Sequence, residues 1–106
     1  MPNVFKNARA ALTGTTATVY TCPSSTTAIV LLAQAANVDN SAAFSATATW
    51  SDGTNTTHLA KAVSVPAFAA VNLLAGKLVL EAGDSISAFS TASSKIELTL
   101  SVLEIS

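Results

Sequence analysis

The sequence predicts an all-β protein, an antiparallel β-sandwich of jelly-roll or immunoglobulin-like type with about seven or eight short strands. Three observations lead there. Apolar and polar residues alternate with a period of two in several segments, which sets the apolar side chains on one face of a strand. Turn-forming residues recur roughly every 8–12 positions, the spacing of sandwiches and barrels. Long stripes of helical period are absent.

Taken in chain order, Ala8–Thr13 shows no clean alternation and is expected as a short helix or irregular stretch. Ala17-Thr18-Val19-Tyr20-Thr21 reads as a strand, stopped by Cys22-Pro23-Ser24-Ser25. Ala28 to Ala33 is the longest strictly apolar run. Its β-branched content, the two threonines before it and the Asn37-Val38-Asp39-Asn40 turn after it favour a buried strand over a helix through Ala36. Ala46-Thr47-Ala48-Thr49-Trp50 alternates and halts at Ser51-Asp52-Gly53-Thr54, a hairpin signal that makes His58–Val63 the returning strand. Val65-Pro66-Ala67 is a break or a sheet edge, because proline cannot donate into a ladder.

Ala67–Ala75 is the second stretch expected to be helical or irregular. Lys77–Leu80 and Ser85–Phe89 are strands on either side of a Glu81-Ala82-Gly83-Asp84 turn. In the last segment Ile96, Leu98, Leu100 and Val102 alternate with Glu97, Thr99 and Ser101. The phase then slips at Leu103, which predicts a bulge or a strand end covered on both faces. One domain spanning residues 1–106 is expected, with 1–14 as a candidate N-terminal arm.

Composition bears on function. Ala, Ser and Thr supply 48 of 106 residues, and charged residues only 10% against about 25% in typical domains. With mean hydropathy of +0.50 this is the opposite of a disordered chain. A formal net charge of −1 offers almost no repulsion between copies, and exposed strands carry few of the Lys and Pro residues that guard sheet edges. Both facts predict faces or edges covered by neighbours.

Lys6, Arg9, Lys61, Lys77 and Lys95 are scattered singly, which argues against a nucleic-acid partner. No apolar run approaches the roughly 20 residues of a membrane span, so no membrane partner is expected. Met1-Pro2-Asn3-Val4-Phe5-Lys6 has no signal-peptide pattern, and export by an N-terminal signal is not expected. Cys22 is the only cysteine, so neither an intrachain disulfide nor a cysteine-built metal site can form.

No catalytic, cofactor-binding or metal-binding residue is expected, and the chain reads as no enzyme. A Cys22–His58 nucleophile pair has no supporting spacing, and a cysteine beside proline in a turn is ordinarily a packed thiol. Asp39, Glu81 and Asp84 sit at turns without the alternating oxygen ligands that calcium requires, and read as turn formers. Glu97 and Glu104 read as solvated or interface residues on the final strand. Asn55-Thr56-Thr57 matches a glycosylation acceptor by coincidence. Trp50 reads as core, with an interface anchor as its rival.

Tyr20-Thr21-Cys22-Pro23, then Thr27-Ala28-Ile29-Val30, then Leu80-Glu81-Ala82-Gly83-Asp84-Ser85-Ile86, and finally Ser101-Val102-Leu103-Glu104-Ile105 form an ordered set. In this layout the chain resembles short virion proteins of tailed bacteriophages, especially those of marine bacteria, over roughly Tyr20 to Ser106. The resemblance implies a structural β-sandwich with no cofactor, located in the virion and assembled in the host cytoplasm. The resemblance leaves the place in the virion open among head-decorating cement proteins, neck or tail accessories and fibre domains. With the low charge and small size of the domain, the leading expectation is a capsid decoration (cement) protein with the major capsid protein or other virion proteins as partners, and a homo-oligomer, a trimer being favoured. A tail, neck or fibre accessory is the alternative, and a carbohydrate-binding module for host surface glycan is the alternative from another class.

Overall fold

The computed structural model describes residues 3–106, and every regular element in it is a strand. These are β1 (Asn3–Ala11), β2 (Ala17–Thr21), β3 (Thr27–Asn37), β4 (Phe44–Ser51), β5 (Thr56–Val65), β6 (Ala70–Asn72), β7 (Leu78–Leu80), β8 (Ser85–Ser90) and β9 (Ile96–Ile105). One sheet, sheet A, has the order β1-β9-β3-β6, with β7 also on β3; sheet B has the order β2-β8-β4-β5. All pairings are antiparallel.

The pairs are nested: β1 with β9, β2 with β8, β3 with β6 and β7, β4 with β5. A long hairpin folded over on itself makes this pattern, so the sandwich is a jelly roll rather than an immunoglobulin-like fold. Because β6 and β7 occupy successive lengths of one edge of β3, nine strands fill eight positions.

Several local expectations change. Ala8–Ala11 belongs to a regular strand, paired residue for residue with β9 from Asn3 to Ala11. In the candidate arm, Met1 and Pro2 lie outside the described residues. Within Ala67–Ala75 a short strand, β6, lies between turns. Both were obscured by alanine, which fits the half-covered edge of a sheet without marking a period. β3 runs through Ala36 to Asn37 as a strand, so the helical rival fails there.

The final strand has no bulge. Its register with β1 is continuous to Ile105, and the irregularity sits opposite, between Val30 and Leu32 of β3. Glu104 keeps the core-facing phase and is buried at 8% exposure, while Leu103 keeps the outward phase. A carboxylate facing in beside a leucine facing out gave the appearance of a slip.

The core is asymmetric. Sheet A contributes most of the large fully buried side chains, Val30, Leu80, Ile96, Leu98, Leu100 and Val102, beside Ala28, Ala33 and Ala35, whereas sheet B contributes Ile86 and Val65 with Ala46, Ala48 and Ala88. Most of the large buried side chains thus come from one layer and meet a facing layer whose centre is mostly alanine. The β4–β5 hairpin turn matches the sequence signal. Gly53 follows β4 at φ +94, and Asp52 Oδ1 accepts the Thr54 and Asn55 N–H groups at 2.9 and 2.7 Å.

Candidate functional site

Period-two geometry sends Asn3, Phe5, Asn7, Arg9 and Ala11 of β1 to the outside of sheet A, opposite the outward residues of β9. The registers then align an apolar row across the sheet. Phe5 faces Leu103, Leu103 faces Ile29, and Ile29 faces Val79. Phe5 is 73% exposed and Val79 56%, with Ile105 and Leu31 also exposed beside the row. Directly opposed residues approach within about 5.5 Å, so the four side chains form one continuous strip over four strands. Arg9 and Glu97 lie toward the other end of the face, about 13 and 20 Å along the strands.

Sequence reading missed this row. It left Phe5 out of any strand and took Leu103 as a break in phase. The available signal was the apolar Leu103 itself, which an unbroken period of two would have turned outward.

A polar cluster locks the sandwich end beneath the row. The Tyr20 hydroxyl donates to Glu104 Oε2 at 2.5 Å, and Lys6 Nζ lies 3.1 Å from Oε1. The Tyr20 bond holds the Glu104 carboxyl below its usual range, Lys6 adding to the effect and burial opposing it. Burial, then the Glu104 charge, raise the Tyr20 phenol well above its usual range, so it remains a donor. Nearby, the buried Cys22 thiol donates to the Thr26 and Leu80 carbonyls, and burial pushes its pKa up. A protonated, enclosed thiol is a poor nucleophile.

His58 lies on β5 at the other edge of sheet B from β2, three strands away and roughly 14 Å across. The fold therefore does not bring Cys22 and His58 together. Asp84 Oδ2 accepts Trp50 Nε1 at 3.3 Å and the Glu81 N–H at 3.0 Å, which fixes the turn before β8 and occupies the polar edge of a half-buried Trp50. Glu97 is exposed, whereas Glu104 is not the solvated residue expected. Among the described residues no group of three or more His, Cys, Asp and Glu is placed to hold a metal ion. A shallow depression over β1 and β9 is lined by Arg9, Ala10, Ala11, Glu97, Leu98 and Thr99.

At the opposite end, Asp39 organises the loop after β3. Its Oδ2 accepts the Ser41 and Ala42 N–H groups at 3.1 and 2.9 Å and the Ser41 hydroxyl at 3.0 Å, and Oδ1 lies 3.3 Å from Lys95 Nζ. The buried Asn37 amide donates to the Ala42 and Val65 carbonyls. Exposed Val38 and Phe68 project nearby, Phe68 at φ +58 in a turn closed by the Ala69 N–H on the Pro66 carbonyl.

The loop hydrogen bonds lower the Asp39 pKa to about 2. A depressed carboxyl adds stability that is complete above its unfolded value, about 3.9, and is lost as pH falls through the folded one. Asp39→Asn should therefore lower the urea midpoint at pH 7, and its deficit relative to wild type should shrink between about pH 4 and 2. A deficit independent of pH would show that the carboxylate charge is not what steadies the loop.

No protein-family profile matches the chain, and no curated protein sequence matches it. Solved structures do. A chain from the acid-stable capsid of Helicobacter pylori bacteriophage KHP30 is similar at a TM-score of 0.60 and 13% identity, over 98% of this chain and 93% of that one. A chain from the disulfide-linked pili that form Bacillus endospore appendages is similar at a TM-score of 0.54 and 14% identity, over 96% of this chain and 85% of that one. At these identities the likeness is one of fold.

Proposed function

We propose that this chain is a bacteriophage virion structural protein, a capsid decoration (cement) protein that stabilises the head by bridging contacts. The observation that carries the reading is the outward row Phe5–Leu103–Ile29–Val79, exposed at its two ends and half-buried between them, on a charge-poor face. Contiguous exposed apolar strips on a small protein mark interaction surfaces. The similar fold in a phage capsid structure supports a shell as the setting, and a second similar fold in a pilus supports an assembling subunit more broadly.

The mechanism is burial. Each copy lays the outer face of sheet A on the shell, the apolar row at the centre and Thr99, Ser101 and Gln34 among its polar surroundings. Many weak sites on one lattice add avidity without any single tight contact. The major capsid protein is the partner, the subunit works as a homo-oligomer, and the chain performs no catalysis. The cytoplasm of the host, where the particle assembles, leaves the enclosed Cys22 thiol free.

Electron cryomicroscopy of the purified particle tests the location. Density for the jelly roll repeated on the head lattice is expected. Density confined to the tail, neck or fibres would replace the decoration role with that of an accessory protein there.

A further inference from the structure

The four sheet edges are not alike. β2 has five residues and a register shift against β8, β5 has two shifts against β4 and a positive φ at Ala62, and β6 and β7 have three residues each. Short, bulged strands are how proteins keep sheet edges from pairing with another chain. β1 is neither short nor bulged, and of the charged guards it carries only Lys6, held by Glu104, and Arg9. It runs nine residues against β9 without a shift, carries no proline, and among the described residues has no strand on its other side.

Its free backbone groups can be assigned. The Leu12 N–H donates to the Ile96 carbonyl at 2.8 Å, continuing the β1–β9 register. Hydrogen-bonded and non-bonded pairs alternate in an antiparallel ladder, so even residues of β1 bond to β9. Asn3, Phe5, Asn7, Arg9 and Ala11 therefore point their N–H and C=O groups away from the sheet.

We infer that β1 is a self-association edge, pairing antiparallel with β1 of a second copy about a two-fold axis at Asn7. This register places odd residues opposite odd residues over all nine positions, so five pairs can each exchange two hydrogen bonds. It sets Phe5 opposite Arg9 of the other copy on both sides of the axis, a cation–π pairing. Lys6 falls opposite Ala8, its charge already paired with Glu104. Moving the axis to Lys6 would place the two Lys6 residues opposite each other and shorten the ladder.

Because the axis stands perpendicular to the joined sheet, both apolar rows face the same way. The pair is thus a bivalent version of the docking face, although its formation does not depend on what that face binds. The contact makes a dimer; a trimer would need other surfaces.

Light scattering after size exclusion at micromolar concentration tests the pairing. Wild type should run as a dimer. Asn7→Pro, which removes an outward N–H without touching the β9 ladder, should weaken dimerisation about 100-fold or more and keep the wild-type circular dichroism. Asn7→Cys should cross-link to itself under mild oxidation, since opposed Cα atoms lie about 5.5 Å apart, while Ala11→Cys, facing Asn3, should not. A monomeric wild type, or a trimer indifferent to Asn7→Pro, would overturn the inference. So would failure of Asn7→Cys to cross-link, which holds even if the proline variant does not fold.

Discussion

Leu98→Ala should cost about 4 kcal/mol of folding stability, near the top of the range for such truncations. Leu98 is fully buried on β9, and its partners in the sheet are Ala10 on β1 and Ala35 on β3. The facing sheet presents Ala46, Ala48 and Ala88 at its centre, with Ile86 and Val65 as its large fully buried side chains. The cost of a cavity depends on how far neighbours can move into it, and alanines have no side-chain length with which to do so. For a domain near 100 residues, with total stability of about 5–15 kcal/mol, this should lower Tm by roughly 15–30 °C. Thr99→Ala, one residue on and facing outward, should change stability by less than about 0.5 kcal/mol. Urea and thermal denaturation of both variants measure the contrast. A Leu98→Ala loss below about 1.5 kcal/mol would mean that the alanine layer can collapse, and that the core is not divided into large and small faces.

That division also explains what could be read in advance. Strong β formers in alternation marked β2, β4, β8 and most of β9, and Asp52-Gly53 and Ala82-Gly83-Asp84 located turns, because these signals are local. β1 and β6 were lost for the opposite reason. Ala8, Ala10, Ala11 and Ala70 are small enough for either state, and only tertiary pairing with β9 and β3 makes them strands. The inward Glu104 could not be foreseen from its neighbours in sequence. It is tolerated by Tyr20, 84 positions away, and by Lys6 on the far side of the chain. The candidate site was illegible for a related reason: Phe5, Leu103, Ile29 and Val79 come from four strands and acquire meaning together only through register.

Leu103→Asp should leave the isolated protein folded and abolish the attachment to a phage particle proposed for sheet A. Leu103 sits between Phe5 and Ile29 in the row, outward-facing and half-exposed in the free subunit. There an aspartate stays hydrated, and the loss is confined to cross-strand apolar contacts worth about 0.2–1 kcal/mol each. Against a docked partner the same carboxylate would be stripped of water with no cation opposite it. Uncompensated burial of an ion costs several kcal/mol, and each 1.4 kcal/mol is a factor of ten in affinity, so about 100-fold or greater loss per site is expected. Repetition around a lattice magnifies the deficit, because avidity depends on every contact. Glu97→Lys, on the same face but about 20 Å from the row, supplies the comparison, since a rim charge alters affinity little. Co-sedimentation of each variant with particles stripped of the protein measures the difference. Equal retention of Leu103→Asp and wild type would remove the apolar row from the docking surface, because no desolvated interface could absorb that charge at its centre.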